Sequence, residues 1–575
     1  MIGGVAMSNG SAFRTFDREL HAAEAHLTAG LSPETLFGAY MDWAGHLINQ
    51  PGRRTALLLD FLQDMAILTQ QAMGVTTANA LQPNPGDRRF NHPGWASYPF
   101  SLFEQAFLRA ERWWSVATTG IQGVSRSHER MVSFTARQLL DMMAPSNIPF
   151  LNPEVLEATW QSEGRNLLQG FSKFVEDMTK QTRELQAKLP LRPGRDVAVT
   201  PGQVVLRNGL IELIQYSPLT DKVYPEPVLI VPAWIMKYYI LDLQPHDSLI
   251  RFLVEQGYTV FCISWLNPSR KQREVHLDDY RKQGVMTAID AIAAITKARK
   301  IHAVGYCLGG TLLSITAAAM AREHDERLAS LTLLAAQTDF TEAGELQLFI
   351  NEAQLAFLDD LMWKSGYLDA SQMAGAFQML RSADLIWSRM VRRYYLGVED
   401  EPNDLTSWNM DATRMPYRMH SEYLWHMFQN NNLAMGRFPA DGKPVSLSDI
   451  DLPLFVVGTE RDHIAPWRSV YKLHLLNPGS LTFALASGGH NSGIVSEPGR
   501  ANRSYKILER KKGAKYRGPD EWLRVAKPRE GSWWPEWTRW LGACSSAPKS
   551  PPHIGDEEAG YPPLCAAPGT YVMRR

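Results

Sequence analysis

Ten residues, Ile301–Gly310, read IHAVGYCLGG. A mostly apolar run enters Gly-Tyr-Cys-Leu-Gly-Gly, and the stretch Thr311–Arg322 beyond it has helical spacing. A strand that turns sharply into a helix with a nucleophilic side chain at the bend is the sequence form of a nucleophile elbow. Cys307 stands at the bend. Gly305 and Gly309 let the turn close without side-chain clashes, and Gly310 lets the new helix approach the sheet. The turn lifts Cys307 clear of the backbone and aims its sulfur at the helix N-terminus, where the dipole and free amides favour a thiolate. A bare G-x-C-x-G more often marks a buried, inert cysteine. Here the strand before it, the helix after it and two partners downstream favour a nucleophile.

A thiol nucleophile needs a base, and the base needs an orienting acid. On this type of elbow the chain order is nucleophile, acid, base. Asp462 follows the strand-like LPLFVVG in the loop GTERDHIAPW, and His490 follows SLTFALA in the loop SGGHNSG. Both loops are expected at the carboxyl ends of their strands, where parallel sheets bind ligands. Asp339 is a rival acid. His463 and His302 are rival bases, but His302 begins the strand leading to the elbow and so belongs at the wrong end of the sheet. An oxyanion needs two donors. The expected ones are the backbone amide of Leu308 and that of Ala233 or Trp234, in the loop after Val228–Val231.

Around this core the pattern is strand, helix, strand. Strand-like runs are Val228–Trp234, Tyr258–Trp265, Ile301–Cys307, Leu328–Ala336, Leu452–Gly458 and Ser480–Ala486. Helical patterns over Asp247–Gln256, Asp278–Arg299 and Gly310–Arg322 fall between them, and Gln203–Leu206 and Leu210–Tyr216 flank Arg-Asn-Gly as a hairpin. The expected fold is α/β: an α/β-hydrolase core over residues 196–541, with a helical cap inserted at about 340–450. Residues 1–195 read as a helical N-terminal domain, with apolar helical spacing over Arg53–Met73 and Pro99–Thr119. The loop Leu81–Pro99 is too rich in Pro, Gly and Asn for a continuous helix, and its aromatics are expected to pack a buried turn. Residues 542–575 are rich in Ala, Pro, Ser and Gly and are expected to be a disordered tail.

Composition narrows the partners. With 59 Lys+Arg against 60 Asp+Glu, nothing points to nucleic acid or an acidic membrane. No apolar run reaches the roughly 18 residues of a membrane span, and the first twenty residues do not have the form of a secretory signal. Four cysteines, Cys262, Cys307, Cys544 and Cys565, make neither a disulfide framework nor a metal cluster, and suit a reducing cytoplasm. No metal or cofactor is expected.

Cysteine rather than serine at the bend favours thioester chemistry. Exchange of one thioester for another is close to thermoneutral, and the enzyme thioester is a good donor to an alcohol because an oxygen ester is the more stable product. This favours acyl transfer from an acyl-CoA to a hydroxyl over hydrolysis.

At the motif level the chain resembles the polyhydroxyalkanoate (poly-3-hydroxybutyrate) synthases, class I-like, from about Asp87 to Leu541. The residues that carry the likeness are DRRFNHPGW (Asp87–Trp95), VPAWIMKYYILDL (Val231–Leu243), ISWLNP (Ile263–Pro268), LDDY (Leu277–Tyr280) and GYCLGG (Gly305–Gly310). WNMDATRMP (Trp408–Pro416), GTERDHIAPW (Gly458–Trp467), SGGH (Ser487–His490) and GSWWPEW (Gly531–Trp537) complete them. The resemblance implies polymerisation of (R)-3-hydroxyacyl-CoA to a polyester with release of coenzyme A. Cys307 would be the acylated nucleophile and His490 its base, with Asp462 orienting His490 or helping to deprotonate the 3-hydroxyl. It also implies a mobile cap with Trp408–Pro416 in the cap or its hinge, a homodimer, and attachment to cytoplasmic polymer granules. Two rival readings use the same residues: a thioesterase or polyester depolymerase, and a non-catalytic granule-associated subunit. Met236 stands where an Asn is common in the family, Ala233 stands where a second proline is common, and the tail beyond Leu541 has no recognised counterpart.

Overall fold

A computed structural model describes residues 13–24, 32–75, 80–84, 86–179, 189–370, 372, 382–399 and 403–575. The start of the chain, on which the secretory-signal expectation rests, lies largely outside them. The chain divides into two compact units. One comprises residues 1–22, 189–371 and 402–575, and the other residues 23–188 and 372–401.

The second unit is helical: α1 (Pro33–Ile48), α2 (Pro51–Ala72), α3 (Phe100–Thr118), α4 (Arg126–Met142), α5 (Pro153–Gln161) and α6 (Arg165–Thr179). Ser32, Ser125 and Asn152 accept first-turn amides of α1, α4 and α5 through their side chains, which explains where these helices start. The loop around Asp87–Trp95 packs inward. Phe90 and Trp95 join Phe107, Leu108 and Ala144 in one buried cluster, and Arg89 binds Asp87, Glu111 and Asp141. Residues 382–399, expected within a single cap, cluster instead with this helical unit. Arg393 and Tyr394 bind Asp177 of α6, and the carbonyl of Tyr394 sits where a Cβ on Gly170 would be.

The first unit is built on one sheet. Its strands are β1 (Gly202–Arg207), β2 (Ile211–Tyr216), β3 (Val228–Val231), β4 (Val260–Trp265), β5 (Ile301–Tyr306) and β6 (Leu328–Leu334). β7 (Leu454–Thr459), β8 (Leu481–Ala486), β9 (Ser504–Arg510), β10 (Lys527–Glu530) and β11 (Cys565–Ala566) follow. The spatial order is β10-β9-β8-β7-β6-β5-β3-β4-β2-β1-β11. Pairings from β4 through β3, β5, β6 and β7 to β8 are parallel, and both flanks are antiparallel. The parallel strands are buried almost throughout, which suits their continuous Val/Ile/Leu runs. Helices α7 (Leu249–Glu255), α8 (Thr287–Thr296) and α9 (Leu308–Arg322) supply crossovers. This is the α/β-hydrolase core expected from the strand pattern.

The β1–β2 hairpin forms, but not through a left-handed glycine. Asn208 closes the loop: its Oδ1 accepts the amides of Leu210 and Ile211. Residues 542–575 correct the sequence expectation more strongly, because they are ordered. β11 pairs with β1 through Gln203↔Ala566 and Val204↔Cys565. Gln215 donates to the His553 carbonyl and accepts the Gly555 amide. The buried Glu212 accepts the amides of Thr570 and Tyr571. The Pro- and Gly-rich composition hid this order because the tail is held by main-chain pairing with β1 and by side chains of β2, not by a period of its own.

Candidate active site

β5 runs into Cys307 and α9 leaves it. Cys307 has φ 53 and ψ −123, a left-handed conformation rare for a residue with a Cβ. The bend is held from all sides. The Cys307 amide donates to the Leu334 carbonyl at 2.8 Å, and the Gly310 and Thr311 amides donate to the Cys307 carbonyl. A Cβ on Gly305 would lie 2.4 Å from Gly310 Cα, and one on Gly310 would lie 2.4 Å from Ala336 Cβ. The glycines predicted from sequence therefore serve close approach.

Asp462 lies in the loop after β7 and His490 in the loop after β8, at the same sheet edge as the elbow. His490 Nδ1–H donates to Asp462 Oδ2 at 2.7 Å, and the Cys307 sulfur lies near enough to the imidazole to favour its charged form. Asp462 is anchored in turn: Thr459 Oγ1 donates to its Oδ2, and the Ile464 and Ala465 amides donate to its Oδ1 at 2.9 and 2.8 Å. Burial raises the cost of a charge on Asp462, but His490 and these donors outweigh it and hold the carboxyl below its ordinary value. Burial likewise opposes a charge on His490. The Asp462 carboxylate and the Cys307 sulfur override it, and His490 is held well above the ordinary histidine value.

The rivals are placed elsewhere. Asp339 accepts from the Thr341 amide and hydroxyl and lies near Lys472. His302, at the start of β5, is buried between Ser330 Oγ and Ser545 Oγ at 2.7 and 2.9 Å. The His463 carbonyl faces Gly344 and Glu345. Of the three histidines considered, the one bonded to Asp462 and beside Cys307 is His490.

Leu308 is the first residue of α9, so its amide is one of the helix's unpaired first-turn donors. Ala233 and Trp234 follow β3, whose end presses on the elbow: a Cβ on Gly309 would lie 2.1 Å from the Val231 carbonyl oxygen and 2.6 Å from that of Pro232. The loop that carries Ala233 and Trp234 thus starts against the first turn of α9, where Leu308 stands.

Several residues at the site were given no role from the sequence. Tyr306 Oη donates to Asn491 Oδ1 at 2.7 Å, and its ring lies 5.7 Å from that of His490. Trp533 and Trp534 donate their indole N–H groups to the carbonyls of Gly493 and Ile494, fixing the chain just after His490; this explains the GSWWPEW motif. Tyr423, at the end of α10 (Tyr417–Tyr423), is close enough to Cys307 for the sulfur to disfavour its ionisation further, after burial. It packs edge-on against Trp234, Phe340 and Phe428. No spacing rule links Tyr423 to Cys307. Cap segments cover the site, and Cys307 is 8% exposed and His490 7%.

Three family models match the chain. Poly-beta-hydroxybutyrate polymerase (PhaC) N-terminus matches residues 86–253, poly-beta-hydroxybutyrate polymerase N terminal matches residues 11–53, and alpha/beta hydrolase fold matches residues 226–497. The chain is 40% identical over 529 residues to a poly(3-hydroxyalkanoate) polymerase of Methylorubrum extorquens, covering 91% of this chain and 86% of that protein. It is 35% identical over 529 residues to the polymerase subunit PhaC of Rhizobium meliloti, covering 91% and 85%. Against the PhaC subunit of Cupriavidus necator it is 35% identical over 523 residues, covering 90% and 87%.

Proposed function

The chain belongs to the poly(3-hydroxyalkanoate) polymerase family, and from that membership we propose that it polymerises (R)-3-hydroxyacyl-CoA through an acyl-cysteine on Cys307. The single observation that carries the reading at residue level is the 2.7 Å bond from His490 Nδ1 to Asp462 Oδ2, on an imidazole beside Cys307.

The steps follow from the groups present. His490 takes the Cys307 proton, and Asp462 stabilises the imidazolium. The thiolate attacks the thioester carbonyl and a sulfur–carbon bond forms. The oxyanion lies toward the amides of Leu308 and of Ala233 or Trp234. Collapse breaks the bond to the coenzyme A sulfur, which leaves with the proton held by His490. In the second step a 3-hydroxyl attacks an acyl thioester. Its proton passes to His490, an oxygen ester forms, and a thiol is released. Water would divert the acyl-enzyme to a free acid, so the apolar cover of Tyr423, Phe340 and Phe428 supports transfer over hydrolysis. No step uses a cofactor or metal. A homodimer, attachment to polymer granules and a cytoplasmic location belong to the same proposal, as what the motif resemblance implies. Among the described residues no helix is long and apolar enough to cross a membrane.

The test is incubation with 3-hydroxybutyryl-CoA. Insoluble polyester with coenzyme A release, both lost in Cys307→Ala, is the expected result. Soluble monomeric acid would establish hydrolysis instead, and a wild-type protein that never becomes acylated would establish a non-catalytic role.

A further inference from the structure

Lys237 is a lysine buried to 3% exposure, four residues after Ala233. Desolvating an ammonium is costly unless its donors are satisfied. Its Nζ donates to the carbonyl oxygens of Arg574 at 2.6 Å and Tyr571 at 3.4 Å. Burial pulls its pKa down to about 8, with the Asp411 carboxylate working in the other direction.

Three segments meet at this side chain. The first is the loop after β3. Its Pro232 carbonyl accepts the Trp265 indole N–H, and its Trp234 carbonyl accepts Thr413 Oγ1. The second is Trp408–Pro416. Trp408 Nε1 donates to the Lys237 carbonyl at 2.7 Å, Ala412 bridges Met236, and Asp411 accepts Tyr239 Oη at 3.0 Å. The third is the strap 569–574, which arrives from β11. Glu212 fastens it by accepting from the amides of Thr570 and Tyr571 and from Thr570 Oγ1. Tyr571 Oη donates to the Asn208 carbonyl. Asn267 closes the ring, since its Nδ2 donates to the Arg574 carbonyl at 3.3 Å while its Oδ1 accepts the Arg414 amide at 2.9 Å.

We infer that Lys237 is a positioning residue for the oxyanion-side amides of Ala233 and Trp234, and that the strap 569–574 holds it in place through main-chain carbonyls. The inference rests on the catalytic reading above. Its logic is geometric. Carbonyls of Val231 and Pro232 already touch the elbow helix at Gly309, so a small outward movement of this loop separates its donors from the sulfur. Side-chain and main-chain bonds hold the loop at Pro232, Trp234 and Met236. At Lys237 the loop is pinned to chain more than 300 residues away, and to the Trp408–Pro416 segment.

The test uses the full-length chain with Lys237→Met and, separately, Gly569→Val. Gly569 has φ +82, and a Cβ there would lie 2.4 Å from Glu212 Oε2, so valine dislodges the strap without touching Lys237 or the loop. Coenzyme A release is read as kcat and KM, Cys307 reactivity as the rate of alkylation by iodoacetamide, and strap release as hydrogen exchange over 569–574 and 232–243. Alkylation needs the thiolate but no oxyanion donor. The expected result for both variants is a kcat lower by about 10- to 100-fold, below the loss for removal of a whole donor. KM should change by less than about threefold, alkylation should be unaltered, and exchange should be faster in both segments. An unchanged kcat in Gly569→Val with the strap released overturns the inference, as does parallel loss of alkylation and kcat. If Lys237→Met does not fold, Gly569→Val decides alone. A wild-type chain that alkylates yet releases no coenzyme A removes the catalytic reading and this inference with it; an active wild type with indifferent variants removes this inference only.

Discussion

Tyr306 Oη donates to Asn491 Oδ1 at 2.7 Å, joining the residue before the nucleophile to the residue after the histidine. The bond ties two loops that share no sequence proximity. Phenylalanine keeps the buried ring and removes only the hydroxyl, leaving the Asn491 amide short of a partner. A buried hydrogen bond of this kind contributes about 1 kcal/mol. Tyr306→Phe should therefore lower kcat for coenzyme A release by roughly fivefold, the factor that energy buys at 25 °C, with KM little changed. Steady-state kinetics at saturating acyl-CoA checks it.

The Asp462–His490 pair carries a pH signature. His490 is raised above its ordinary 6.5, so the pair's contribution from this side is fully present below about pH 6.5 and lost as pH rises through the raised native value. Asp462 is lowered below its ordinary 3.8, so its contribution is present above about pH 3.8 and lost as pH falls through the lowered native value. In Asp462→Asn both contributions disappear. The stability gap between wild type and variant should be widest between about pH 4 and 6.5 and narrow on either side. Urea unfolding at pH 5.5 and 9.5 measures this. The variant's His490 should titrate below its wild-type value, because burial is then weakly opposed. Coenzyme A release should fall on the order of 10⁴-fold, the scale of losing an orienting carboxylate.

Much of this site was legible because nucleophile, acid and base follow a fixed chain order at strand ends. Cys307, Asp462 and His490 each sit just after an apolar strand, and loops at such ends converge in space. What was not legible depends on packing between distant segments. Tyr423 comes near the sulfur only because the cap folds back over the sheet. β9, SYKILER, is half-buried between β8 and β10, and β10, KPRE, is the exposed edge strand; their charged and Pro residues erase the period-two signal. The tail misled for a related reason. Thr570 and Tyr571 are ordered by a carboxylate on β2, a feature that composition does not record.

His302 tests the opposite end of β5. It is neutral between two serine hydroxyls, and burial lowers its pKa to about 4. A histidine depressed on folding costs stability as pH falls below its ordinary 6.5, because the unfolded chain takes up a proton that the native state refuses until about pH 4. Glutamine fits the same hydrogen-bonding role without titrating. His302→Gln should be less stable than wild type at pH 7.5 by about 1 kcal/mol, from lost hydrogen-bond geometry. The gap should shift in favour of the variant by about 2.5 kcal/mol at pH 4.5, since each unit of pKa difference is worth about 1.4 kcal/mol. Paired denaturant titrations at the two pH values check it, and acid-labile groups elsewhere cancel in the difference. Coenzyme A release at pH 7.5 should be unchanged, because His302 lies at the end of the sheet remote from Cys307.

Two glycines separate a turn that merely looks special from one that is. Gly209 sits in the hairpin signal Arg-Asn-Gly, yet a Cβ there meets nothing within 4 Å and its φ is not left-handed. The loop is closed by Asn208, so Gly209→Ala should leave stability within about 0.5 kcal/mol and leave activity intact. Gly309 has an ordinary φ as well, but its missing Cβ is the space into which the Val231 and Pro232 carbonyls fit, at 2.1 and 2.6 Å. Alanine must push β3's end away from the elbow helix. Overpacking a fixed backbone contact costs about 1–3 kcal/mol. The same displacement moves Ala233 and Trp234 away from the Leu308 amide. Gly309→Ala should therefore lose at least about 100-fold in coenzyme A release, the scale of one oxyanion donor. Iodoacetamide should still alkylate Cys307 in the folded fraction, since the Asp462–His490 pair lies on other strands. Thermal unfolding, alkylation and turnover on the two alanine variants side by side measure all three effects. A Gly309→Ala enzyme that turns over like Gly209→Ala would show that the loop after β3 does not supply an oxyanion donor.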